Sequence, residues 1–182
     1  LAPWADKVTL HIGDIGDNLA IRPTISVYRV AEPEVSDTQP PATNSLSGAS
    51  RLTFAYPEGP RDAESLFVDP LTRDIYILTK REDPHRLYRA AYPQSTSGTT
   101  MLELVTTYTD PNWLTAADIS PDGDEIIARA TGSASGRMWV RPPGGTVGDA
   151  LTSAPITIPL VADGQGEAIA FDPLGWGYYT TS

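Results

Sequence analysis

The chain has 182 residues, of which 23 are acidic and 13 basic, so its formal net charge is −10, and it contains no cysteine. This length fits one domain. The negative charge argues against a nucleic-acid partner and is compatible with a bound cation. The lack of thiols excludes disulfides, zinc–thiolate sites and a cysteine nucleophile. The 17 prolines scattered along the chain exclude a helical bundle, and no apolar run approaches the roughly 18–20 residues of a membrane span.

Three strands are predicted in the first part of the chain. They are the short β-rich runs at residues 8–12, 25–30 and 51–55. The stretch between the last two, residues 32–50, is rich in Pro, Ser and Thr and is predicted to be a loop. The strand that opens the repeat described below is missing from this first part of the chain, unless residues 4–7 supply it. Residues 8–12 are therefore interpreted as a second strand.

A strand–turn–strand pattern then occurs three times. Its copies lie at residues 64–79, 115–130 and 167–182, and a proline shared by all three recurs at intervals of about 51 residues. After the proline comes a short polar turn and then a second β-rich run. This arrangement predicts a β-hairpin in each copy.

Two further strands are predicted after each of the first two hairpins. The third strands are residues 86–90 and 137–141, and the fourth strands are residues 102–108 and 154–159. The Ser/Thr-rich stretch 95–100 is predicted to be a loop. Four strands per roughly 51 residues are the pattern of a β-propeller blade.

The predicted fold class is therefore all-β, a β-propeller of four-stranded antiparallel blades in one domain. The blades are expected at about residues 1–60, 61–112 and 113–163, with a partial blade at 164–182. This gives about 3.6 blades, whereas propellers have typically four to eight. We expect the ring to be closed either by a missing portion of a longer chain, which is the favoured interpretation, or by self-association.

The candidate site lies where the first strands of the blades begin. Glu64, Thr115 and Glu167 open these strands, and the first strands of a propeller line its central channel. Carboxylates brought together in this way raise each other's pKa or hold a cation between them. Glu64 and Glu167 are therefore candidate metal ligands and candidate catalytic bases. The alternative is that each caps a loop or pairs with an arginine such as Arg61.

The second candidate is the loop at residues 13–18, Gly-Asp-Ile-Gly-Asp-Asn. Asp14, Asp17 and Asn18 offer oxygen ligands within five residues, which suits a hard cation such as Ca²⁺. The spacing is not that of an EF-hand. An equally good interpretation is an Asp/Asn/Gly turn held by its own side-chain to backbone hydrogen bonds.

Other polar and aromatic residues are weaker ligand candidates. Asp118 falls on a first strand where the other copies are apolar, so it needs a partner, and we expect it to bind backbone amides of the neighbouring blade. Lys80 aligns with Asp14 and could contact an anion at the same mouth. Trp113, just before Thr115, is the tryptophan most suited to face a ligand. The two histidines, His11 and His85, form no recognisable zinc or nucleophile motif.

These segments resemble a family of secreted bacterial β-propeller proteins. The resemblance rests on residues 13–18, 62–70, 76–80, 115–123 and 166–171. It covers nearly the whole chain, although the family normally carries more blades. More distantly the chain is similar to six-bladed propellers with calcium in the channel, such as lactonases and strictosidine-synthase-like and phytase-like proteins. The resemblance implies an extracellular or periplasmic location and a channel Ca²⁺ held by Glu64, Glu167 and the 14–18 loop.

Two functions follow as hypotheses. The first is a secreted binding or scaffold module with a channel cation, whose ligand is a small molecule, a glycan or a protein. The second is a calcium-dependent hydrolase of a lactone, ester or phosphoester, in which the ion polarises the substrate and Glu64 or Glu167 activates water. The fold alone does not choose between them.

Overall fold

A computed structural model describes residues 9–161 and 164–181, and these residues form β-strands and one short helix. The predicted opening strand at residues 4–7 lies outside the described residues. The elements are, in chain order, β1 (Thr9–Asp14), β2 (Ile25–Ala31), β3 (Ser50–Ala55), β4 (Ala63–Val68), β5 (Ile75–Thr79), β6 (His85–Ala90), β7 (Thr99–Met101), β8 (Glu103–Tyr108), β9 (Leu114–Ile119), β10 (Glu125–Ala130), β11 (Ser135–Val140), α1 (Val147–Leu151), β12 (Ile156–Pro159), β13 (Ala168–Phe171) and β14 (Tyr178–Thr181).

The described strands form three four-stranded sheets and one two-stranded sheet. Sheet 1 has the order β1-β2-β3-β7, sheet 2 the order β4-β5-β6-β8, sheet 3 the order β9-β10-β11-β12, and sheet 4 contains β13 and β14. The sheets follow one another as propeller blades and do not close into a ring within the described residues. The all-β, propeller fold class predicted from the sequence is confirmed.

The repeated proline marks the same turn in three sheets. In each, the residue before the proline donates its backbone N–H to the carbonyl oxygen five residues later. The three bonds are Asp69 to Asp74 at 3.0 Å, Ser120 to Glu125 at 2.8 Å, and Asp172 to Gly177 at 2.8 Å. The hairpins predicted from the sequence are thus formed at all three positions.

Sheet 1 departs from the predicted blade at its outer edge. Residues 51–55, predicted as the fourth strand of the first blade, lie in β3, and outside it is the added strand β7, which pairs in parallel with β3 and comes from the connection between β6 and β8 of sheet 2. Residues 95–100, predicted as a loop, therefore end in a strand. Leu102 explains the crossing, because its backbone N–H donates to Ala55 at 2.9 Å and its side chain is buried in the core between sheets 1 and 2.

The core consists of apolar layers between neighbouring sheets. Phe54 and Tyr88 belong to the layer between sheets 1 and 2, and Leu87 and Trp139 to the layer between sheets 2 and 3. A smaller layer, with Ile169, joins sheets 3 and 4. Because the inner sheets are covered on both faces, all five residues of β5 are buried, which accounts for its continuous apolar sequence.

Helix α1 was not predicted from the sequence. Thr146 caps it in a capping box, since its hydroxyl accepts from the Asp149 backbone N–H while the Asp149 carboxylate accepts from the Thr146 backbone N–H. The helix is five residues long and buries Val147 and Leu151 against the core of sheets 2 and 3. Among the described residues, no helix has the length and apolar character that a membrane crossing requires.

The loop after β1 lies on the same side of the molecule as the loop after β5. The backbone N–H of Asp17 donates to the Asp62 carboxylate at 2.8 Å, and Arg81 donates to the Asn18 side chain at 2.6 Å. Strand β1 therefore runs in the same direction as β5, the second strand of its hairpin, as the sequence predicted. Among the described residues it pairs with β2 alone.

Candidate ligand-binding cavity

Four strands from the four sheets border one open cavity of about 370 Å³. They are β1, β4, β9 and the start of β13. The ionisable and hydroxyl side chains in its wall are His11, Glu64, Thr115 and Glu167, and the rest of the wall consists of small and aliphatic residues. The three positions that open the predicted first strands thus come together at one cavity.

Two β-bulges direct side chains to this cavity. In sheet 2, Ala63 pairs with Thr79 and Ser65 with Leu78, so Glu64 is the extra residue. In sheet 3 the register shifts at the equivalent point, and Thr115 is the residue without an opposite partner. Bulges re-aim a side chain and are frequent beside functional sites. The repetition of the bulge at both positions is a local reason why residues 64 and 115 both face the cavity.

Lys80 is the partner of Glu64. Its Nζ lies 2.6 Å from the Glu64 Oε1, and the lysine is buried at 8% exposure. The sequence proposed Arg61 as a possible partner, but Arg61 instead lies 3.3 Å from the Glu82 carboxylate. Lys80 therefore supplies the positive charge next to Glu64.

Glu167 and Thr115 differ in how far their polar groups are already engaged. The Thr115 hydroxyl donates to the Gly166 carbonyl oxygen at 2.8 Å and is buried. The Glu167 backbone N–H donates to Thr181 at 3.2 Å, while its side chain is exposed and makes no hydrogen bond or ion pair within the described part of the chain. Glu167 thus leaves one uncompensated carboxylate at the cavity.

The loop at residues 13–18 is held by contacts within the protein. Arg22 binds the Asp14 carboxylate through two hydrogen bonds of 2.8 and 3.0 Å, and this contact lowers the pKa of Asp14. The Asp17 carboxylate accepts from the Arg22 backbone N–H at 2.6 Å, and Asn18 accepts from Arg81 at 2.6 Å. This geometry matches the self-held turn that the sequence left open as an alternative.

These contacts bear on the fit of a calcium ion. Across residues 9–161 and 164–181, no three His, Asp or Glu residues lie close enough together to hold a metal. Of the predicted ligands, Glu64 and Asp14 each have a protein cation as partner, and Glu167 has none in the described chain. A calcium ion here would need backbone carbonyls and water to complete six to eight oxygen ligands, and it would compete with Lys80 for Glu64.

His11 was missed as a cavity residue from the sequence. Its ring lies on β1 beside the cavity, opposite Arg29 of β2. Burial, together with the charge of Arg29, lowers the pKa of His11 from its usual 6.5, so the ring is neutral near pH 7. Alternation along the second strand, in which residues 11 and 13 share a face, was the signal that could have identified it.

The remaining candidate residues are Asp118, Trp113 and the two histidines. The Asp118 carboxylate accepts from the Phe171 backbone N–H at 2.8 Å, which confirms its predicted bond to a backbone amide of the neighbouring blade. Trp113 is 47% exposed, and the Arg81 guanidinium lies 4.3 Å from its ring centroid. The two histidines lie in different places. His11 borders the cavity, whereas His85 is buried with its ring nitrogens against backbone carbonyls.

Comparison with known proteins supports the fold. No family model matches the chain, and no curated protein matches it. Among solved structures, the chain is similar to a luciferin-regenerating enzyme with a TM-score of 0.51 and 14% identity, over 96% of this chain and 54% of that one. It is also similar to hydrazine synthase of Kuenenia stuttgartiensis, with a TM-score of 0.49 and 14% identity, over 91% of this chain and 43% of that one. The chain thus spans about half the length of these propeller structures.

Proposed function

We propose that this chain is a β-propeller binding module whose cavity takes up a small cationic ligand. The observation that carries the proposal is that Glu64 and Glu167, from two different sheets, border the same open cavity of about 370 Å³. Cavities of this size accommodate small organic molecules as well as hydrated ions.

The charges around the cavity favour a cation. Lys80 compensates Glu64 at 2.6 Å, and burial keeps His11 neutral near pH 7 by lowering its pKa. The Glu167 side chain forms no hydrogen bond or ion pair within the described chain, so its carboxylate adds a negative charge to the cavity wall. A ligand that brings positive charge offsets this carboxylate.

Two kinds of cation meet this requirement. Ca²⁺, which the sequence predicts, would bind through Glu167 and carbonyl or water oxygens. An organic ammonium group would bind Glu167 through charge-assisted hydrogen bonds and would fill more of the cavity. We also propose, on the resemblance, an extracellular or periplasmic location, and closure of the ring by further blades from a longer chain or a second copy.

The test is calorimetric titration of the chain with CaCl₂, MgCl₂ and ethylammonium chloride. We expect saturable binding of at least one of them, weakened at least about tenfold in Glu167→Gln, because one charge-assisted contact is worth roughly 1.5–3 kcal/mol. Glu103→Gln is the matched control, since Glu103 lies on β8 at the outer edge of sheet 2 and pairs with Arg89. It should bind as the unmodified chain does.

Three results would contradict the proposal. If none of the three cations binds, or if Glu103→Gln is affected as strongly as Glu167→Gln, the cavity is not a cation site. Calcium-dependent turnover of an ester, lactone or phosphoester substrate, abolished in Glu64→Gln, would replace the binding module with the hydrolase hypothesis.

A further inference from the structure

Trp113 is an exposed aromatic residue close to the cavity wall. It precedes Thr115 of the cavity wall by two residues and is 47% exposed. Lys80 connects the two features, because its Nζ lies 5.9 Å from the indole centroid and 2.6 Å from the Glu64 carboxylate. The indole ring thus lies one lysine side chain away from the Glu64 carboxylate of the cavity wall.

The loop that carries Trp113 is fixed by buried polar groups. The Asp110 carboxylate is buried and accepts from Arg137 at 2.8 Å and from the Asn112 backbone and side chain at 3.0 and 2.9 Å. The His85 Nε2 lies 3.2 and 3.1 Å from the carbonyl oxygens of Asp110 and Asn112. The backbone that leads to Trp113 is thus fixed before any ligand arrives, which reduces the entropy lost on binding.

The charged groups around the indole balance one another. Arg81 stacks 4.3 Å from the ring centroid while its Nε donates to Asp62 at 2.6 Å, and Lys80 pairs with Glu64. Arg81 covers part of the ring, and the exposed remainder of the half-exposed indole presents an apolar surface with hydrogen-bonding groups at its edge and balanced charges beside it. The ligand that complements it is neutral and ring-shaped, with an apolar face and a rim of hydroxyl groups.

We propose that Trp113 is the stacking surface for a pyranose sugar beside the cavity. The C–H face of the sugar packs on the indole, and its hydroxyl groups bind the Glu64 carboxylate and the Lys80 ammonium. The inference rests on the proposed function in that it extends the same ligand-binding cavity, but it uses a different residue and a different ligand.

The experiment titrates methyl α-D-glucopyranoside, methyl β-D-galactopyranoside and methyl α-D-mannopyranoside into the chain, with calorimetry and tryptophan fluorescence as readouts. We expect at least one sugar to bind. Trp113→Ala should lower its affinity about tenfold, whereas Trp113→Phe, which keeps a flat ring, should recover most of it. Trp176→Ala is the matched control, because Trp176 is also exposed, at 86%, but lies in the turn between β13 and β14.

Asp110→Asn tests the role of Asp110 as a positioning residue. It removes the charge that binds Arg137 and leaves the indole in the chain, so sugar affinity should fall less than in Trp113→Ala, with thermal melting showing that the variant folds.

The proposal is overturned if none of the three sugars binds, if Trp113→Ala binds as tightly as the unmodified chain, or if Trp176→Ala loses binding equally. Titration of the same protein with CaCl₂ and ethylammonium chloride separates the two proposals. Cation binding that depends on Glu167, without sugar binding, overturns this inference alone.

Discussion

The Asp118 carboxylate on β9 accepts a 2.8 Å hydrogen bond from the backbone N–H of Phe171 on β13 and so ties sheet 3 to sheet 4. Burial raises the pKa of Asp118, although the backbone N–H groups of Phe171 and Ile119 act in the opposite direction. The folded chain therefore binds this proton more tightly than the unfolded chain. The stabilisation is complete below the ordinary pKa of 3.8 and is lost as the pH rises through the raised value.

Asp118→Asn should stabilise the chain at neutral pH. The amide oxygen can still accept from Phe171, but no charge has to be buried. Urea unfolding should show a larger gain over the unmodified chain near pH 7.5 than near pH 4.5. Asp118→Ala leaves the Phe171 N–H without its acceptor and should cost about 1–3 kcal/mol. Asp37→Asn, in an exposed loop, is the control, and an equal gain there at pH 7.5 would argue against this role of Asp118.

Gly166→Ala should loosen the contact between sheets 3 and 4. A Cβ atom at Gly166 would overlap the guanidinium of Arg129, which is fully buried. The Gly166 carbonyl also accepts from Thr115 of the cavity wall. We expect a loss of about 1–3 kcal/mol in unfolding free energy, as for overpacked cores, together with weaker cation binding.

Gly164→Ala is the matched control for this substitution. A Cβ at Gly164 meets no atom within 4 Å, so the variant should unfold and bind cations like the unmodified chain. Equal stability of the two variants in urea unfolding would show that the close approach to Arg129 is not required.

The sequence predicts the strands well because the inner sheets must bury both faces. The apolar run of β5, residues 75–79, has the bounds that its composition indicates, and the shared proline marks the same turn in three sheets. Strand β7 could not be predicted, because Thr99–Met101 is short, has no apolar run and pairs with a strand of another sheet. Its position depends on the burial of Leu102 rather than on its own composition.

The sequence repeat also predicted part of the site. The repeat identifies Glu64 and Thr115 as equivalent positions, and both border the cavity. The β-bulges at these residues leave no mark on the apolar pattern, and the repeat alignment, which made Lys80 equivalent to Asp14, did not indicate the contact of Lys80 with Glu64. Hairpin register, with Ala63 opposite Thr79, is what brings Lys80 to Glu64.

Asp69 and Arg141 form a buried ion pair between sheets 2 and 3. The Arg141 Nη2 lies 3.0 Å from the Asp69 Oδ1, and both side chains are almost fully buried. Asp69 also accepts from the Leu71 N–H and the Thr72 hydroxyl. Removing one of the two charges leaves the other buried without its counter-charge.

Arg141→Met should therefore destabilise the chain by about 3–5 kcal/mol, whereas the double variant Asp69→Asn/Arg141→Met should recover a large part of that loss. Urea unfolding of the two single variants and the double variant gives the coupling energy directly. Losses that simply add would show that the pair is not energetically coupled.

His11 should make both stability and cation binding depend on pH. Burial lowers its pKa from 6.5, and Arg29 adds to the effect, so the unfolded chain takes up this proton first. The stabilisation is present above pH 6.5 and is lost as the pH falls through the lowered pKa. Protonation also places a positive charge beside Glu64 and Glu167 in the cavity wall, which opposes a bound cation.

Cation affinity should accordingly fall between about pH 7.5 and pH 5 in the unmodified chain and fall less in His11→Gln, whose side chain does not titrate. Calorimetric titration at both pH values measures the difference, and urea unfolding at the same values measures the effect on stability. Glu103→Gln should keep the full pH dependence, because Glu103 pairs with Arg89 outside the cavity wall. A His11→Gln profile identical to that of the unmodified chain would assign the titration to another group.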